Sequence, residues 1–102
     1  MLKDSNPQFT FRNIHSTDGL KTHTEDKLQK LEKYINRAVS LHVTFNIEKL
    51  DHIVEINLHA NGSKYIAIER SPDMYASIDG AVHKLQKQLS RDHERSKDHH
   101  HG

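Results

Sequence analysis

Hydrophobic positions along the chain recur at two spacings. Val39, Leu41, Val43, Phe45 and Ile47 alternate with Ser40, His42, Thr44, Asn46 and Glu48, the period of a strand with one buried and one wet face. Val54, Ile56, Leu58 and Ala60 repeat the alternation against Glu55, Asn57 and His59. Asn61-Gly62 follows, the pair that best tolerates the two positive φ angles of a type I′ hairpin turn. The returning strand is expected over 64–70. Tyr65 and Ala67 compete there with Ile66 and Ile68 for the inward face, and we assign Tyr65 and Ala67 inward. Phe9 and Phe11, also at period two, predict a first strand over 8–14.

The other spacing is helical. Leu20, Leu28, Leu31 and Ile35, with Thr24 filling the gap, predict a helix from Thr17 as N-cap to about Ile35. Asp18 places negative charge at its positive end. Ser71-Pro72-Asp73 reads as a second helix start: a capping hydroxyl, proline at the first helical position, then an acid. Met74, Ile78, Val82, Leu85 and Leu89 form its apolar stripe, which ends near Arg91. The order is strand, helix, three strands, helix. The expected fold is an α+β two-layer sandwich, β-α-β-β-β-α, a four-stranded sheet with both helices on one face. Three segments follow: an N-terminal extension (1–7), one domain (8–91), and a charged, His-rich tail (92–102) expected to fray.

Composition excludes more than it assigns. Its 102 residues allow one small domain. Lys plus Arg number 15 against 14 acids, a formal net charge of +1, so a polyanion partner must be argued from where the charges sit. With no cysteine, disulfides, thiol catalysis and cysteine-ligated zinc are out, which suits a reducing cytoplasm. The first seven residues read as no secretory signal, and no stretch approaches a membrane span.

Helical geometry places the charge. Lys84, Lys87 and Arg91 fall within an arc of roughly 60°, nearly opposite the apolar stripe. No acid occurs between Asp79 and Asp92, so nothing local neutralises the row. Lys30, Lys33 and Arg37 share a similar arc on the first helix, flanked by Lys27 and diluted by Asp26 and Glu32. If both helices cover one face, the rows form one outward cationic surface able to engage phosphates. On pattern alone, such rows more often describe only the solvated side of two amphipathic helices.

Lys30-Leu31-Glu32-Lys33-Tyr34, Asn61-Gly62, Asp73-Met74-Tyr75-Ala76-Ser77-Ile78-Asp79 and Lys84-Leu85-Gln86-Lys87-Gln88-Leu89 resemble the ribosome hibernation-promoting factor / ribosome-associated inhibitor family in its short form, over about residues 8 to 91. The resemblance implies a domain similar in shape to double-stranded RNA-binding domains. It implies a cytoplasmic bacterial protein, monomeric off the ribosome, whose partner is the small (30S) ribosomal subunit and its 16S-type rRNA. Members sit in the channel between head and platform, over the sites of messenger and transfer RNA, and hold ribosomes inactive in stationary phase or stress. The implied rRNA-binding residues are Lys27, Lys30, Lys33, Arg37, Lys84, Lys87 and Arg91. The tail is closer to that of the short promoting factors, which act with a ribosome modulation factor to favour paired ribosomes, than to the longer acidic tail of the inhibitors. No residues remain after Arg91 for the dimerisation domain of long members. The modest net charge, the extra N-terminal residues and the His-rich end depart from the family.

Other residues weigh less. Asp73 reads mainly as a cap and Met74 as core, while Tyr34 and Tyr75 border the apolar arcs, where burial with the hydroxyl at the rim outweighs stacking on RNA bases. His99-His100-His101 reads as a purification tag or a benign tail. His42 and His59 lie on outward strand positions, so no metal site and no cofactor is expected. No nucleophile elbow, phosphate loop or triad occurs, so the protein is read as no enzyme. The competing functions are a protein-interaction or transcription-modulating module and a general double-stranded RNA binder.

Overall fold

In the computed structural model, which describes residues 7–99 and side chains through Arg95, the expected elements occur in the expected order. Of the N-terminal extension only Pro7 is described. His100 and His101 lie outside the described residues.

Strand β1 (Gln8–Arg12) pairs in parallel with β2 (Ala38–Glu48), which pairs antiparallel with β3 (Asp51–Ala60), and β3 with β4 (Ser63–Ser71). The sheet order is β1-β2-β3-β4. Asn13, at φ 59°, takes the left-handed conformation and ends β1 before Ile14. The Asn61-Gly62 turn has φ of 53° and 76°, both positive as a type I′ hairpin requires. In β4, Tyr65 and Ala67 are buried while Ile66 and Ile68 are 54% and 48% exposed.

Val39 differs from its expected inward position and is 53% exposed. Ala38 pairs with Ala60 but Ser40 with His59, so Val39 is the extra residue of a β-bulge. The side-chain alternation restarts beyond it, with Leu41, Val43 and Phe45 buried. Phe9 and Phe11 stack on Phe45 at centroid distances of 6.2 and 4.8 Å.

The first helix is also shorter than its apolar spacing predicts. Thr17 caps it through a hydrogen bond from the Leu20 N–H at 3.1 Å, and α1 spans Asp18–Leu28. Gln29–Tyr34 then tightens into a 3₁₀ segment, and Ile35 is extended at φ −112°. A 3₁₀ turn eclipses residues three apart, which keeps Leu28 and Leu31 buried on one line. Asn61 fixes the exit. Its side chain donates to the Tyr34 carbonyl at 2.8 Å and accepts the N–H groups of Asn36 and Arg37 at 2.8 and 3.0 Å.

Helix α2 (Met74–His99) begins later and ends later than expected. Asp73 is the effective cap, its carboxylate accepting the Ala76 N–H at 3.3 Å. The Ser71 hydroxyl still accepts the Asp73 N–H at 3.2 Å, as a capping hydroxyl does, and also meets the hydroxyl of fully buried Ser77, which donates to the His52 carbonyl at 2.6 Å. No glycine or proline follows Arg91 until Gly102. Two contacts hold the next turn: Tyr65 donates to Asp92 at 2.7 Å, and the Tyr34 and His93 rings meet edge-on at 6.0 Å.

Both helices bury their stripes in one cluster with the inward residues of β2, β3 and β4. They lie side by side and run the same way, Tyr75 and Asp79 beside α1, His93 beside the 3₁₀ segment.

Candidate nucleic-acid interface

Parallel helices on one face send both basic rows outward. Lys27 lies in the last turn of α1, where the helix dipole favours a cation, while Asp18 sits in the first turn of α1 and Asp73 caps α2.

The seven basic residues are not equivalent. Lys87 and Arg91 line a shallow groove on the outer side of α2 with His83, Gln86, Ser90 and Glu94. Lys30, Lys33 and Arg37 are exposed. Lys30 and Lys33 lie in the 3₁₀ segment, where a three-residue period keeps them on one side. Arg37 falls beyond the helical coil, so its place in a helical arc is corrected. It sits where Asn61 clamps the chain, its carbonyl accepting the Asn61 N–H at 2.8 Å.

The other two are held by neighbours. Lys27 lies 3.9 Å from Asp79, which also pairs with His23 at 2.8 Å. Lys84 turns to the edge of β4, donating to the Ile68 carbonyl at 2.7 Å and lying 3.5 Å from Glu69. The inference that nothing neutralises the second row therefore fails at Lys84. A helical wheel sees only its own helix, and Glu69 arrives from a strand. Gly80 makes the room: a Cβ there would stand 2.6 Å from the Glu69 carboxylate.

The tyrosines divide. Tyr34 is half-buried, with Lys33 Nζ 5.2 Å from its ring centre. Tyr75, expected to favour burial, is 44% exposed and rests edge-on against His23 at 4.9 Å. Met74 is core and Asp73 a cap, as read from sequence. Sequence reasoning missed His23, Glu69 and Gln88. Only Gln88 left a signal, four residues after Lys84 and so on the same side of the helix.

A small β-α-β-β-β-α domain with an outward basic helix layer is the class that fold and surface define. The chain belongs to the Sigma 54 modulation protein / S30EA ribosomal protein family, whose sequence pattern matches residues 8–97. It is 38% identical over 90 residues to the ribosome hibernation promoting factor of Salmonella typhimurium, covering 88% of this chain and 95% of that one. The Escherichia coli K12 protein of the same name is 36% identical over 90 residues, at the same coverage. Among solved structures, a ribosomal subunit interface protein from Coxiella burnetii superposes with a TM-score of 0.74 at 34% identity, covering 83% of this chain and 93% of that one. The N-terminal domain of Thermus thermophilus Protein Y gives 0.77 at 28% identity, covering 82% and 93%. No helix among the described residues is long and apolar enough to cross a membrane.

Proposed function

We propose that this protein is a ribosome hibernation factor that binds the small ribosomal subunit and keeps ribosomes inactive in stationary phase or stress. It would occupy the channel of messenger and transfer RNA. The observation that carries the reading is the outward basic layer itself. Lys30, Lys33, Arg37, Lys87 and Arg91 are exposed with no ion pair among the described residues, in a chain of this family.

These five form the core of the grip, with Lys27 and Lys84 joining when RNA phosphates outcompete Asp79 and Glu69. Phosphate contacts fix position without reading sequence, so RNA shape supplies selectivity. Tyr75 offers an exposed ring beside His23 for a splayed base. Inhibition needs no bond made or broken: a domain held firmly in the channel excludes RNA by volume. The same contacts would let it act with a ribosome modulation factor on paired ribosomes.

Cosedimentation tests the reading. The protein is expected in the small-subunit fraction at low salt, released as salt rises, and to suppress cell-free translation at matching concentrations. Absence from that fraction at low salt overturns it. Equal affinity for a plain RNA duplex would replace it with general duplex binding.

A further inference from the structure

Strand β4 lies at one side of the sheet, with β3 as its one strand neighbour. In an antiparallel ladder the N–H and C=O of a residue point the same way, alternating along the strand. Ile66 and Ile68 direct theirs away from β3, because their carbonyls are met by α2. Lys84 Nζ donates to Ile68 O at 2.7 Å and Gln88 Nε2 to Ile66 O at 3.0 Å. The side chains of the same two isoleucines are about half exposed on the open face. A nine-residue edge strand with adjacent exposed isoleucines is a template for strand addition.

The spacing explains why one helix can cover this edge. Residues four apart on a helix rise about 6 Å, and alternate carbonyls of a strand repeat at about 6.6 Å. Lys84 and Gln88 thus reach two successive outward carbonyls from one side of α2. An approaching strand would have to displace both and bury an ammonium at its hydrogen-bonding edge.

We propose that Lys84 and Gln88 guard the β4 edge, and that the partner they exclude is a second copy of this chain pairing β4 antiparallel to β4. The edge is self-complementary. A two-fold axis through Ala67 sets Ile66 opposite Ile68 of the second copy and covers both exposed isoleucines. The same register sets Lys64 opposite Arg70, a like-charge pairing that opposes association. Asp51, 3.3 Å from Arg70, blunts that repulsion, which leaves the two α2 side chains as the principal barrier. The role rests on the geometry of the β4 edge and not on the proposed RNA binding, although Lys84 is shared between the two.

The test is the double variant Lys84→Ala with Gln88→Ala, compared with the unaltered chain by sedimentation equilibrium and amide hydrogen exchange. The variant is expected to gain mass toward a dimer as concentration rises. Its Ile66 and Ile68 amides should slow in step, while those of the unaltered chain stay fast and its mass monomeric. A variant that is folded by circular dichroism yet monomeric, with both amides still fast, overturns the proposal. Should the double variant fail to fold, Gln88→Ala alone uncovers the Ile66 carbonyl. Concentration-dependent slowing of that amide supports the guard, and its absence refutes it.

Discussion

The Tyr65 hydroxyl donates a 2.7 Å hydrogen bond to the Asp92 carboxylate, tying the buried face of β4 to the turn of α2 just past its apolar stripe. Burial, and then the hydrogen bond and negative charge of Asp92, push the Tyr65 phenol above its ordinary value. The folded state therefore holds the proton more tightly than the unfolded chain. The resulting stability is fully present below the ordinary phenol pKa of about 10 and is lost as pH rises through the folded-state value. Tyr65→Phe should cost about 1 kcal/mol at neutral pH and flatten the alkaline loss. Urea unfolding at neutral pH and above the phenol range measures both, and an equally steep alkaline limb in the variant would place the titrating group elsewhere.

Asn61 does more than make a turn. Its side chain serves three backbone groups of the 3₁₀-to-β2 connection while its own backbone is left-handed. Asn61→Ala should cost about 2 kcal/mol, from strain at positive φ and lost hydrogen bonds. Asn61→Asp keeps the acceptor and should cost about half as much. Urea midpoints order the two variants, and equal losses would deny the acceptor its role.

Carboxylates temper the basic layer. Glu69 lies 3.5 Å from Lys84, and Asp79 is shared by Lys27 and His23. If both acids only dilute the field, Glu69→Gln and Asp79→Asn should each tighten RNA binding about two- to threefold at low salt. Weaker binding in filter assays would mean that the carboxylates instead hold their lysines in a productive pose.

The order of elements, the inward faces of β3 and β4 and the Asn61-Gly62 turn were legible in the sequence because each rests on local periodicity or on φ preference. What was not legible is tertiary. The bulge at Val39 follows from pairing with β3, which no alternation reports. The turn from the 3₁₀ segment into β2 is held by Asn61, distant in the chain. The run of α2 past Arg91 depends on Tyr65 and Tyr34 holding Asp92 and His93. At the candidate site, helical spacing correctly gathered Lys87 and Arg91 on one outward side. It could not show that Lys84, one helical turn before them, is spent on β4.

That difference within the second row orders the effects of mutation. Lys87 and Arg91 flank the open groove of α2 and make no ion pair among the described residues, so each can neutralise a phosphate without breaking a bond. Lys84 must first leave the Ile68 carbonyl and Glu69. Lys87→Glu with Arg91→Glu should weaken small-subunit binding about tenfold or more at moderate salt, and lower the slope of log affinity against log salt by roughly 2. Lys84→Ala should change both much less. Neither substitution touches the buried stripe, so far-ultraviolet circular dichroism and melting should stay close to those of the unaltered chain. If Lys84→Ala weakened binding as much as the double reversal, with the fold intact, the grip would be centred on the β4 side of α2 and not on the groove.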